Sequence, residues 1–203
     1  MLRVGLTGGI ACGKSTIGAM LAKRGAHLLL ADTLAHQLYE PGAATYDEVV
    51  RRFGRDILNA DGTIHRGRLA NLAFPDRIDE LNAVVHPAVV AAQTRWMKDR
   101  EREDPDGVAV VEAALLIEAG AARDFDKVIV VTCDFEHKVE RYAARTNLPL
   151  DAARVEVERR SAAQFTDQEK ASQADYVMDN SGSVEDAERQ LEKIWGELRA
   201  QPR

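Results

Sequence analysis

The sequence has few of the features that mark secreted, membrane-bound or nucleic-acid-binding proteins. It contains only 2 cysteines, Cys12 and Cys133, which are too few for a disulfide framework and fit a reducing compartment. It has no run of about 18 apolar residues, as a transmembrane helix needs. Met1 leads almost at once into a strand pattern and not into a signal peptide. We therefore expect a cytoplasmic protein that does not bind membranes.

Basic residues are not in excess either. Lys and Arg number 27 against 33 Asp and Glu, a net charge of −6 that argues against nucleic acid as a partner. Aromatic residues make up only 5%, but hydrophobic residues make up 45% of the 203 positions, enough for a sizeable core. The length of the chain is enough for a single domain with insertions, and the chain shows no internal repeat and no low-complexity segment.

What the sequence does contain is a phosphate-binding motif close to its N-terminus. Residues 8–16 fit the P-loop pattern G-x-x-x-x-G-K-[ST]. Gly8 and Gly13 permit backbone angles that let the loop wrap a polyphosphate, Lys14 can reach the β- and γ-phosphates, and Ser15 offers a hydroxyl to Mg²⁺. The loop residues predicted to bind ATP are Gly8, Gly9, Ile10, Ala11, Cys12, Gly13, Lys14, Ser15 and Thr16.

The strand pattern around this motif predicts an α/β fold. A short apolar strand, residues 2–7, precedes the loop, and a helix follows it. Further apolar runs separated by helical segments indicate a parallel sheet covered on both faces. These runs are residues 27–31, 108–112, 127–132 and 176–179.

Two helical blocks, residues 40–104 and 137–165, interrupt this α/β pattern. In the first block we predict helices at residues 66–74 and 77–85, parted by Pro75, and a long helix that opens at His86-Pro87. The second block is locally basic. After the fifth strand, Ser183 to Asp186 predicts a capping box that begins a final amphipathic helix.

Two acidic residues at strand ends are candidates for chemistry. Asp32 ends the second strand, where it could accept a proton from an attacking hydroxyl or help to hold the magnesium water shell. It could equally be the N-cap of a helix over residues 33–39. Glu112 follows four apolar residues, as a Walker-B acid does, and could bind Mg²⁺ through water. The alternative is a strand-end acid that faces solvent.

Two arginines in the basic block, Arg141 and Arg145, are candidates for phosphate contacts. They stand four residues apart and share a helix face, from which they could neutralise charge during phosphoryl transfer. Arg159 and Arg160 are further candidates. The alternative for the whole block is a solvated basic surface.

Taken in order, motifs along nearly the whole chain resemble the bacterial dephospho-CoA kinase family. The matching pieces are Gly5 to Ile10 running into Gly13 to Thr16, Ala31-Asp32, Glu40-Pro41-Gly42, Phe53-Gly54, Asp61-Gly62 with Arg66 and Leu69, His86-Pro87, Leu115-Leu116 with Glu118, Arg141 and Arg145, Ala162-Ala163-Gln164, and Ala174 to Tyr176 with Asp179 to Gly182. The sequence departs from the family pattern at Leu30, His36 and Ala114, where the family often has Asp, Arg and Pro.

The resemblance implies Mg²⁺-dependent transfer of the γ-phosphoryl group of ATP to the ribose 3′-hydroxyl of dephospho-CoA. It implies a P-loop fold with five parallel strands in the order 2-3-1-4-5. By this resemblance, residues 1–39, 105–136 and 166–203 form the nucleotide-binding core, residues 40–104 bind the acceptor, and residues 137–165 form a lid. The implied catalytic residues are Asp32, Lys14, Arg141 and Arg145, Asn180 lies near the adenine of ATP, and the acceptor site contains Thr7, Asp32, Arg66, His86, Leu115 and Leu116.

The expected partners are ATP and dephospho-CoA, and we expect a monomer or a weak homo-oligomer. Two other functions stay open from the residues alone. A kinase for a nucleoside or a similar small alcohol would share the nucleotide contacts and differ in residues 40–104. The other is a nucleotide-dependent switch that is not a metabolic enzyme. A guanine-nucleotide switch in particular would need an Asn-Lys-x-Asp motif, which the sequence lacks.

Overall fold

A five-stranded parallel sheet forms the centre of the fold. A computed structural model of the chain describes residues 1–74 and 76–201. The strands have the order β2-β3-β1-β4-β5 that the family resemblance implied. Their bounds are Leu2–Gly8 for β1, His27–Leu30 for β2, Val108–Glu112 for β3, Lys127–Thr132 for β4 and Tyr176–Asp179 for β5. Across these described ranges, no helix combines the length and apolar character that a membrane span needs.

The three central strands are the most deeply buried elements. Val4, Leu6, Val110 and Ile129 have no exposed surface, because helices cover both faces of the sheet. On one face the core includes residues from α1 (Lys14–Lys23) and α9 (Val184–Ala200). Ser183 and Asp186 form the predicted capping box at the start of α9, which is thereby confirmed.

The second strand differs from its prediction. It ends at Leu30 and not at residue 31, and its residues are only partly buried because β2 is an edge strand. The next helix, α2 (Ala31–Gln37), therefore begins two residues earlier than predicted. Since β3 stands between β2 and β1, the strand that precedes Asp32 does not pair with the strand that feeds the P-loop.

The chain divides into two compact units. One comprises Met1–Leu29 together with the chain from Arg100 onward, and the other comprises Leu30–Asp99. The second unit is helical, with its own apolar core built around Val49, Phe53 and Ile57. Its remaining helices are α3 (Ala44–Phe53), α4 (Arg66–Ala73) and α5 (Ile78–Glu103, which runs on into the first unit). The assignment of residues 40–104 to acceptor binding stays a prediction.

The long helix α5 corrects one prediction from the sequence. His86 and Pro87 do not open a helix, because both lie inside α5. Proline has no N–H and usually bends or ends a helix, but it does not end this one. The predicted break at Pro75 lies outside the described residues.

The segment between β4 and β5 contains three helices, one of which the sequence analysis missed. Helices α6 (Phe135–Thr146) and α7 (Leu150–Ser161) lie in the predicted helical block. The missed helix is α8 (Asp167–Ala171), which begins with a capping box between Thr166 and Glu169. Its T-x-x-E signature was present in the sequence.

Candidate active site

The P-loop connects β1 to α1 and shows why its glycines are needed. Gly8 has φ 152° and Gly13 has φ 92°, values that only glycine adopts without strain. A β-carbon at Gly8 would collide with the carbonyl oxygen of Val131, and one at Gly13 with the side-chain amide of Asn180. The prediction that these two residues permit unusual backbone angles is confirmed. Ala11 also has a positive φ of 53°.

Lys14 is held over this loop by the loop's own backbone. Its Nζ donates to the carbonyl oxygens of Gly8 at 3.0 Å and Gly9 at 2.9 Å. Lys14 is also the first residue of α1, whose first turn contains no acidic residue. The ammonium and the positive end of the helix therefore both favour an anion at the loop.

A carboxylate lies directly behind the loop. Ser15 Oγ donates to Glu112 Oε1 at 2.7 Å, and Glu112 is only 9% exposed. The pairing of Leu6 with Glu112 in the sheet brings this acid beside β1. Glu112 therefore does not face solvent, and the alternative interpretation of it is wrong. Its Oε2 is buried and has no hydrogen-bond partner among the described residues.

These two side chains are of the kind that hold a divalent metal ion beside nucleotide phosphates. A hydroxyl and a carboxylate are hard oxygen ligands, and Mg²⁺ in nucleotide sites takes few protein ligands and several waters and phosphate oxygens. The Oε1 atom of Glu112 accepts from the Ser15 hydroxyl, and its Oε2 atom lies toward Gly18 of α1. Within the described ranges there is no group of three or more His, Cys, Asp and Glu side chains placed to hold a metal.

Arg141 joins the end of β5 to the other end of the loop. It donates to the carbonyl oxygens of Asn180 at 2.8 Å and Cys12 at 3.4 Å. Asn180 Nδ2 also donates to the Cys12 carbonyl, at 2.8 Å. Two residues predicted from distant parts of the sequence therefore meet at Cys12. Burial raises the pKa of the Cys12 thiol, although the nearby Lys14 opposes this shift, so the thiol is protonated at neutral pH.

The other arginines of the basic block differ from Arg141. Arg145 is exposed, and its guanidinium lies over the ring of Tyr142 at 5.3 Å. Arg159 and Arg160 both bond to Glu156 on their own helix, at 2.8 Å and 2.5 Å. These last two fit a solvated basic surface.

The predicted acceptor residues of the first unit have mixed environments. Thr7 is fully buried, and its Oγ1 donates to the Ala114 carbonyl at 3.3 Å. Leu116 is 2% exposed and packs in the core, which leaves only its backbone for contact with an acceptor. Leu115 is 48% exposed, so its side chain is accessible to a ligand.

Three predicted residues lie in the helical unit, and all three are exposed. Asp32 is in the first turn of α2, where Leu30 is the N-cap and makes no side-chain cap bond, so the interpretation of Asp32 as an N-cap is wrong. Arg66 begins α4. Burial raises the pKa of the Tyr39 hydroxyl, and the positive charge of Arg66 partly opposes this shift. His86 lies midway along α5.

The sequence analysis missed two buried lysines. Lys138 Nζ bonds to Asp167 Oδ2 at 2.6 Å. Lys170 is fully buried, and its Nζ bonds to Glu118 Oε1 at 2.8 Å and to the Ala114 carbonyl at 3.2 Å. Both lysines lie on polar, charged helices, and a sequence pattern cannot distinguish them from solvated lysines. The T-x-x-E signature of α8 was the one signal near Lys170.

The sheet order and the loop define the class of the protein. A P-loop that follows a central strand of a parallel sheet, with a carboxylate behind its serine, is the phosphate site of a P-loop nucleotide-binding protein. Helices α6 and α7, inserted between β4 and β5 and carrying Arg141, give it the architecture of a small P-loop kinase.

Comparison with known proteins identifies the particular family. A sequence model of the family described as dephospho-CoA kinase matches residues 2–186. The chain is 43% identical over 195 residues to a dephospho-CoA kinase of Geobacter sulfurreducens, covering 95% of this chain and 96% of the relative. It is 38% identical to one of Aquifex aeolicus, covering 100% of both. The structure is similar to that of a dephospho-CoA kinase from Campylobacter jejuni, with a TM-score of 0.69, 25% identity and coverage of 97% and 96%. The chain belongs to the dephospho-CoA kinase family.

Proposed function

We propose that this protein transfers the γ-phosphoryl group of ATP to the ribose 3′-hydroxyl of dephospho-CoA, giving CoA and ADP, the last step of coenzyme A biosynthesis. The P-loop geometry in a chain of this family is the observation that carries the proposal. Phosphoryl transfer needs positioned positive charge and an oriented hydroxyl more than covalent chemistry.

The loop and the basic block supply the positive charge that faces the transferred phosphoryl group. Lys14 donates to two carbonyl oxygens of the loop. When ATP is bound, its phosphate oxygens can take the place of these carbonyl oxygens as acceptors for the ammonium group. Arg141 stays bonded to the Cys12 carbonyl, and Arg145, which is exposed, extends to the phosphates. Residues 8–16 bind the phosphates of ATP, and Asn180 lies near its adenine.

Ser15 and Glu112 would hold Mg²⁺ in this proposal, Glu112 through water. The ion supplies neutralisation of charge on the β- and γ-phosphates when it is bound. The chain's own contribution is the 2.7 Å hydrogen bond that orients the Ser15 hydroxyl and keeps the carboxylate behind it.

Asp32 is the general base in this proposal. The acceptor hydroxyl is neutral at pH 7 and loses a proton as it attacks phosphorus. Asp32 follows the end of β2 by two residues, and ligands of open parallel sheets bind at the carboxyl ends of strands. Its carboxylate is exposed and does not cap the helix, so it is free to take the proton.

The residues assigned to the acceptor in this proposal are Thr7, Asp32, Arg66, His86, Leu115 and Leu116. We further propose that the protein works in the cytoplasm as a monomer or weak homo-oligomer. Cys12 and Cys133 are both free and buried, which is consistent with a reducing compartment.

A coupled assay of ADP release tests the function. Purified protein with ATP and Mg²⁺ is offered dephospho-CoA, adenosine, uridine and shikimate in parallel. We expect turnover with dephospho-CoA and at least about 100-fold lower kcat/KM with the others, because they lack most of the acceptor's binding groups. Turnover with a nucleoside or shikimate alone would contradict the proposal.

A further inference from the structure

A cavity of about 350 Å³ lies beside the P-loop in the first unit. It is enclosed by the start of α6 and by the segment between α7 and α8. The lining residues that matter here are Gly9, Phe135, Lys138, Gln164, Phe165 and Asp167. A volume of this size suits one heterocyclic group of a ligand.

The inner wall of the cavity rests on the P-loop itself. A β-carbon at Gly9 would lie 3.1 Å from Asp167 Oδ1 and 3.2 Å from Lys138 Nζ, so the ion pair packs directly against the loop. Lys138 is 9% exposed and paired at 2.6 Å. Because this pair is neutral overall and the lining also includes Asp134, the cavity offers no net positive charge to attract a phosphate.

One side chain that lines the cavity, that of Gln164, has a polar atom without a partner in residues 1–74 and 76–201. Gln164 Oε1 is buried and accepts no hydrogen bond from any part of the chain that the structure describes. A buried acceptor without a donor costs free energy, which a ligand N–H would recover. Phe135 and Phe165, both partly exposed, add aromatic surface suited to a flat ring.

The cavity can be placed relative to the residues assigned to each substrate. Asn180, which we assign to the adenine of ATP, bonds to Cys12 at the far end of the loop and does not line the cavity. The cavity adjoins Gly9, and its lining residue Asp134 donates its backbone N–H to Ser181, the neighbour of Asn180, at 2.9 Å. Its wall residue Phe165 donates its backbone N–H to Glu118 at 3.1 Å, two residues beyond the predicted acceptor segment Leu115-Leu116.

We propose that this cavity binds the adenine base of the acceptor, with Gln164 Oε1 accepting a hydrogen bond from the exocyclic amino group. The inference rests on the proposed function, in which the reacting ribose carries this base. The base must then lie within a few ångströms of the phosphates on the P-loop, and the cavity adjoins Gly9 of that loop.

The test compares dephospho-CoA with an analogue whose adenine is replaced by hypoxanthine, which has an oxygen in place of the amino group. We expect the parent protein to prefer the adenine substrate by about tenfold in kcat/KM, the worth of one hydrogen bond. Gln164→Leu should lower kcat/KM for dephospho-CoA by about tenfold and bring the preference to within about threefold of unity. Gln164→Glu keeps an acceptor oxygen and should keep the preference for adenine.

Gln173→Leu is the matched control, because Gln173 is exposed just beyond α8 and lies outside the cavity lining. It should leave both kcat/KM values unchanged. A parent with no preference, or a Gln164→Leu variant that keeps it, would overturn the inference. If Gln164→Leu instead changes the preference for ATP over inosine triphosphate, the inference is overturned and the cavity is assigned to the base of ATP. A parent inactive on dephospho-CoA would overturn the proposed function itself, which is a distinct result.

Discussion

The two units of this chain present their site residues in opposite ways. In the sheet-containing unit, Lys14, Ser15 and Arg141 are already bonded to backbone or carboxylate groups before any ligand enters. In the helical unit, Asp32 and His86 are exposed. The comparison indicates that the phosphate site is preorganised by the fold, whereas the exposed side chains are available to a substrate.

The strongest test of the preorganised phosphate site is the substitution Lys14→Ala. We expect turnover to be abolished while the fold survives, because the ammonium bonds to two loop carbonyls and contributes nothing to the apolar core. ADP release and a thermal melt measure the two effects. Lys23→Ala, an exposed lysine at the end of the same helix, is the control and should behave as the parent. Substantial activity in a folded Lys14→Ala protein would contradict the P-loop assignment.

Asp32→Asn tests the exposed residues of the helical unit in the same way. Asparagine keeps the shape but cannot take the proton, so we expect kcat to fall by about 10² to 10⁴. The melting temperature and ATP affinity should hold, since Asp32 is exposed and caps no helix. Asp47→Asn, an exposed acid in the first turn of α3, is the matched control. A kcat within about threefold of the parent would remove Asp32 from the catalytic residues.

Lys170→Met tests how much the buried ion pair of Lys170 and Glu118 contributes to the stability of the first unit. Removing one partner of a buried ion pair costs about 3–5 kcal/mol, so we expect a large loss of stability in urea unfolding. Lys170→Met combined with Glu118→Gln leaves no uncompensated charge and keeps an acceptor for the Phe165 N–H, so it should recover most of that loss. If the single variant unfolds at the same urea concentration as the parent, the pair does not support this region.

Arg145→Ala has the smallest expected effect, a loss of more than about tenfold in kcat if the side chain meets charge that grows in the transition state. Arg145→Lys should restore activity only in part, because an ammonium cannot reproduce a planar fork. Arg160→Ala is the control, since Arg160 lies over the same Tyr142 ring but pairs with Glu156. An unchanged rate for Arg145→Ala would assign it to the solvated surface as well.

The P-loop, the five strands and the final helix could be predicted from the sequence because their signals are local. The motif at residues 8–16 contains its own glycines, lysine and serine, and apolar runs identify the central strands within one residue of their bounds. The strand order came from the family resemblance and not from periodicity. The misjudged positions, the starts of α2 and of the helix that contains Pro87, depended on neighbours that a local pattern does not describe.

The sequence by itself determined that this protein holds a polyphosphate, since the loop chemistry lies in nine consecutive residues. Only the tertiary structure decided that Glu112 backs Ser15, that Arg141 and Asn180 meet at Cys12, and that Lys138 and Asp167 enclose a cavity against Gly9. These contacts join residues far apart in the chain. Their burial and pairing arise from how the strands align and where the helices pack. In the sequence, the same residue types on a solvated face could not be distinguished from these buried ones.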